Sequence, residues 1–169
     1  MGPGMALKAA LRGHFSLVAF GFAQVAIDIE PLARIIRGDV ILHGPTHSYL
    51  GALSVALLAL PFVWVTYPLL SRWWAVHTQA HRLGLLSMPT RPEFWPVISG
   101  LSVGTLSHVA IDSIMHSDVQ PFWPFDAGSP LHSVLGIDQL HAFCVVSGVL
   151  GLVVFLVSGF FGNGYRAAS

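Results

Sequence analysis

"THSYLGALSVALLALPFVWVTYPLLSRWW", residues 46–74, carries no formally charged side chain before Arg72. About 20 consecutive apolar residues suffice for a helix to cross a bilayer. This run is longer, so it reads as a membrane helix, and that reading sets the class of the whole chain. Of 169 residues, 54% are hydrophobic and only 9% charged, with a mean hydropathy of +0.69. A soluble domain carries about 25% charged residues. Too few charges remain here to cover a water-facing surface.

Three further apolar segments accompany the first. They are "HFSLVAFGFAQVAIDIEPL" (14–32), "FWPVISGLSVGTLSHVAIDSIMH" (94–116) and "IDQLHAFCVVSGVLGLVVFLVSGFF" (137–161). The expected architecture is all-α, an integral membrane four-helix bundle forming a single domain over residues 1–169. The 14–32 segment is the weakest of the four, because Gln24 lies inside it and Asp28 and Glu30 close it. No small-x-small cleavage site follows the N-terminal apolar stretch, so that stretch is read as a retained first helix. "GLSVG" (100–104) has the small-xxx-small form that lets helices approach closely, without naming a partner.

Net formal charge is zero, and no basic patch points to nucleic acid. The single cysteine, Cys144, lies in an apolar run and excludes a disulfide framework. Basic residues in short loops orient membrane proteins. Placing both termini in the cytoplasm puts six of the eight Lys and Arg residues on that side. The chain is thus expected in a prokaryotic cytoplasmic (inner) membrane, with Trp73, Trp74 and Trp95 at the inner interface and Trp123 at the outer one.

Ionisable side chains inside membrane segments cost free energy and mark functional positions. Four groups stand out. In "AIDIEPL", Asp28 and Glu30 precede Pro31. Proline pushes the preceding residue out of the helical region, so a break around Glu30 would turn both carboxylates toward one point. In "LHGPTHSYLGAL" (42–53), Gly44 and Pro45 start a helix between His43 and His47. In "SHVAIDSIMHSD", His108, Asp112 and His116 recur every four residues and form a stripe on one helix face. In "HSVLGIDQLHAF", Asp138 and His141 share a face, with His132 in the preceding loop; Asp138 reads equally as a helix N-cap. The alternative is interfacial polarity for the first two groups and, for the α-helical stripe of His108, Asp112 and His116, polar residues satisfied by neighbouring helices. His14, His77 and His81 fall at the opposite end.

Strict alternation of helix direction brings the four groups to one end of the bundle. Histidine and carboxylate without thiolate suit zinc, manganese or iron. One or two divalent ions are expected, on Asp28, Glu30, His43, His47, His108, Asp112 and His116, with zinc first. A bound ion would acidify water into a nucleophile, and Glu30 or Asp138 would act as general base.

The stretches "DIE", "HGPTHS" and "SHVAID" with a following "WPF" resemble the membrane-bound metal-dependent hydrolase family, the YdjM-like group, over about residues 14–126. The resemblance implies metal positions at Asp28, Glu30, His43, His47, His108 and Asp112. This chain departs from that pattern at Asp-Ile-Glu, where Pro-Asp-x-Asp is commoner, and lacks an arginine after the first histidine. The expected function is a membrane-embedded hydrolase acting on a lipid or phosphoester at the outer leaflet. The alternatives are a non-catalytic subunit of a membrane complex, a histidine-ligated haem or pigment carrier, and a transporter. Membrane lipid is the expected surrounding partner in each case.

Overall fold

Ser48 starts the longest helix. Its extended backbone breaks from a short 3-10 turn, Pro45–His47, and its hydroxyl accepts from the Gly51 amide at 3.0 Å. That is an N-cap, which satisfies an amide that the first helical turn leaves free. The computed structural model describes residues 2–78 and 89–164. His81, expected at the opposite end, lies outside the described residues. The chain folds as α1 (Gly2–Leu11), α2 (Leu17–Ile27), α3 (Ile29–Arg37), α4 (Tyr49–Thr78), α5 (Phe94–Met115) and α6 (Ile137–Gly164), and no strand occurs among the described residues.

Among the described residues three helices, rather than four, are long and apolar enough to cross a membrane: Tyr49–His77, Phe94–Met115 and Ile137–Ser158. The expected 14–32 helix is divided. Ser16 caps α2 by accepting from the Ala19 amide. The break comes at Asp28, not around Glu30, and Pro31 falls in the first turn of α3. Proline is tolerated there because its missing N–H would have no intrahelical partner. Gly38 ends α3 in the left-handed region (φ +76°), where glycine carries no Cβ penalty, and its amide bonds back to Arg34 and Ile35.

α1 and α2 form a helical hairpin. α1 runs beside α6, with Gly2 against Cys144 and Met5 and Ala6 against Gly151. The chain reverses through Arg12–His14, and α2 returns along α5. Lys8 ties this reversal by donating to the Arg12 and Phe15 carbonyls at 2.7 and 2.8 Å. Gly100 and Gly104 of "GLSVG" receive α2: a Cβ on Gly104 would lie 2.6 Å from the Ala23 Cβ. The small-residue stripe therefore has α2 as its partner. α4 packs across both, through Ala56, Ala59 and Val63. A second cluster of Ile27, Ala52 and Val109 lies nearer the α2–α3 break.

Gly104→Val should force α2 away from α5 and lower stability by about 1–3 kcal/mol, the usual cost of overpacking. Gly13→Val meets open space and should leave the thermal unfolding midpoint in detergent unchanged.

Candidate metal centre

Four side chains from three elements converge where α2 breaks: Asp28, His47, His108 and Asp112. Each offers one ligand atom, and all four atoms lie within 4.8 Å of one another. His108 Nε2 is 3.1 Å from both Asp28 Oδ1 and Asp112 Oδ2. His47 Nε2 is 3.5 Å from Asp112 Oδ2 and 3.9 Å from Asp28 Oδ1. His43 Nε2 approaches the same Asp112 oxygen at 3.9 Å. Asp112 is thus the common neighbour of three imidazoles.

The other nitrogen of each ring is held by an acceptor. His43 Nδ1 lies 2.9 Å from Asp118 Oδ1. His108 Nδ1 lies 3.1 Å from Gln24 Oε1, while the Gln24 amide donates to the Gly104 carbonyl at 2.8 Å. His47 Nδ1 lies 3.2 Å from Thr46 Oγ1, whose own proton goes to Glu30. An acceptor at Nδ1 demands Nδ1–H. In a neutral ring the lone pair then falls on Nε2. In that state the three rings would turn Nε2 lone pairs toward the two carboxylates. His47 is fully buried, and its Nε2 makes no hydrogen bond among the described residues.

Local folding explains the convergence. Asp28 ends α2 as the residue at the break. His47 closes the 3-10 turn that Gly44 and Pro45 begin. His108 and Asp112 share a face of α5 one turn apart. Gly44 has a further role beyond starting the turn. A Cβ there would meet Glu30 Oε1 and the Arg34 guanidinium, so a larger residue would have to displace that pair.

Not every expected residue joins the group. Glu30 points to Thr46 and Arg34: its Oε2 accepts from the Thr46 amide at 3.0 Å, and its Oε1 pairs with Arg34 at 2.8 Å. Partial burial alone would raise its pKa, but Thr46 and Arg34 outweigh that and hold it below the usual carboxylate range. His116 leaves the α5 stripe because the helix ends at Met115 and His116 is extended. Its ring instead stacks near His43, with centroids 4.6 Å apart, in a second group with Asp118. Asp138 is exposed in the first turn of α6 and belongs to neither group; the α6 start is tied by Gln139, which accepts from Gly136, not by Asp138. His132 and His141 are exposed. At the far end, His77 stacks on Trp73.

Three contributors escaped the sequence reading: Gln24, Thr46 and Asp118. Asp118 also accepts from the Leu42 and His43 amides at 3.0 and 3.1 Å. Partial burial would raise its pKa, yet His43 and these amides lower it to about 2. Gln24 carried a legible signal, lying one helical turn before Asp28.

A model of the YdjM inner membrane protein family matches residues 27–167. The chain belongs to that family. The YdjM match and the three membrane-capable helices make it an integral inner membrane protein. The match takes in Asp28, the "HGPTHS" turn and all of α5, while α1 and most of α2 precede it. No curated protein and no solved structure matches the chain.

In histidine-15N spectra at neutral to alkaline pH, His43, His47 and His108 should all report the Nδ1–H tautomer. Gln24→Leu should release His108 alone from that state. A majority of Nε2–H signals would contradict the hydrogen-bond network.

Proposed function

We propose that Asp28, His47, His108 and Asp112, with His43 beside them, hold a divalent cation in a membrane-embedded hydrolase. The carrying observation is polarity. Two carboxylates and three Nε2 lone pairs face one another, and their Nδ1 partners are acceptors. With the imidazoles neutral, the two carboxylate charges would match one divalent ion. The donor set suits zinc first, with manganese or iron as alternatives. A bound ion of this kind supplies Lewis-acid polarisation and acidified water.

The remaining residues have distinct roles. Asp118, Gln24 and the Thr46–Glu30 pair orient imidazoles, as the outer partners of metal-binding histidines do. Both Glu30 oxygens are engaged, which favours an orienting role over the general-base role. Asp28, with a half-exposed side chain, is the carboxylate with open approach. The substrate proposed is a lipid or another amphiphile bearing a phosphoester or similar bond, taken at the outer leaflet.

Purified protein should bind zinc, manganese or iron stoichiometrically. His108→Ala and Asp112→Ala should each abolish that binding, whereas Asp118→Asn should weaken it about 10–100-fold. Unchanged metal content in the first two variants would exclude this centre. Metal without turnover of phospholipids or phosphoesters would favour the accessory-subunit reading. A reporter fused after Ser169 should read as cytoplasmic; an external reading would move the site to the inner leaflet.

A further inference from the structure

α3 is amphipathic in the reverse sense for a water-facing helix. At about 100° per residue, Glu30, Arg34 and Arg37 share one narrow sector, and Ile29, Leu32 and Ile36 lie opposite. Glu30 and Arg34 of that sector face the protein, while Arg37 at the helix end is 62% exposed and pairs with Asp39. Glu30 holds Thr46, and Arg34 reaches back to Glu30 and to the Ile41 carbonyl. The apolar stripe faces away: Ile29 is 62% exposed, Leu32 and Ile35 56%, and Ile36 77%. Val40 and Ile41 extend this exposed run past the Gly38 cap. A surface helix in water buries its apolar stripe against the core. Here the core side is polar and the outer side is hydrocarbon.

We infer that α3 lies in the bilayer interface, with Ile29, Leu32 and Ile36 among the acyl chains, so that the metal centre borders lipid at headgroup depth. Three observations select phospholipid as the occupant of this face. α3 connects α2 to the start of a membrane-capable helix, so it sits at the end of the bundle. The loop after α5, at the same end, exposes Phe122, Trp123 and Phe125, and aromatic residues collect at the headgroup level. Arg37, 62% exposed beside the Gly38 cap, places a basic side chain at this end, as helices that lie in the interface of anionic membranes do.

The consequence for the centre rests on the metal reading above. Asp28 immediately precedes Ile29, so one carboxylate of the group adjoins the lipid-facing stripe. The approach to the centre at Asp28 is then lateral, from the leaflet. The ligand class that fits is a lipid whose polar headgroup reaches Asp28 while its chains remain beside α3.

Spin-label accessibility tests this. Cys144 is the sole cysteine, so Cys144→Ser provides a clean background for Leu32→Cys, Ile36→Cys and Arg37→Cys. Each labelled protein is placed in phosphatidylcholine–phosphatidylglycerol vesicles. Labels at residues 32 and 36 should collide with oxygen several-fold more, relative to a water-soluble nickel chelate, than the label at residue 37. Nickel access at residues 32 and 36 equal to that at residue 37 would put α3 in water and overturn the inference. Poor access to both reagents would mean that protein covers the face, a second copy included, and would also overturn it. Metal analysis of the same samples separates the two claims. Oxygen-rich labels on metal-free protein would keep α3 in the bilayer and remove the metal centre.

Discussion

Electrostatic repulsion among acceptors is the constraint on which this fold turns. Two carboxylates and three imidazole Nε2 atoms meet at one end of an apolar bundle. Such a group is stable only with positive charge at its centre, from protons or from a cation. Each Nδ1 faces an acceptor, and each acceptor is itself anchored: Asp118 by two backbone amides, Gln24 by a carbonyl, Thr46 by Glu30. Three independent anchors turn three Nε2 atoms the same way.

The helices serve that convergence. Asp28 joins the group because α2 stops there, and Pro31 restarts the chain as α3 in a new direction. His47 joins because a 3-10 turn, folded over Glu30 by way of Gly44, precedes α4. Small residues on α5 let α2 come close enough for Gln24 to reach both Gly104 and His108. Helix packing and site assembly are therefore one event. A side chain added on Gly104 would disturb both.

Much of the site was legible in the sequence because ionisable residues in apolar segments are few. Alternating helix directions put Asp28, His43, His47, His108 and Asp112 at one end, and the structure brings them together. Where the structure sets an element or residue apart from the expectation, the cause is physical. The break at Asp28 leaves α2 only 11 residues long, so of the four expected spans three remain membrane-capable among the described residues. Glu30 follows Asp28 by two residues, and the break falls before both its oxygens can turn inward. They meet Thr46 and Arg34 instead. His116 keeps the four-residue spacing of the stripe but lies one residue beyond the end of α5, so it joins His43 and Asp118 in a second group that could hold an ion. Asp138 has the right end of the bundle and the wrong helix, because α6 packs on α1 rather than on α5.

The sequence by itself determined the membrane class, the helical architecture and the clustering of histidine and carboxylate at one end. Composition and segment length decide whether a chain can be solvated by water, and both are one-dimensional quantities. Only the tertiary structure decided which nitrogen of each imidazole faces the carboxylates and that α3 turns its apolar side outward. Those facts depend on hydrogen bonds between residues as far apart as His43 and Asp118 or Gln24 and His108. No local spacing encodes such pairs. They exist only once α2, α4 and α5 have packed.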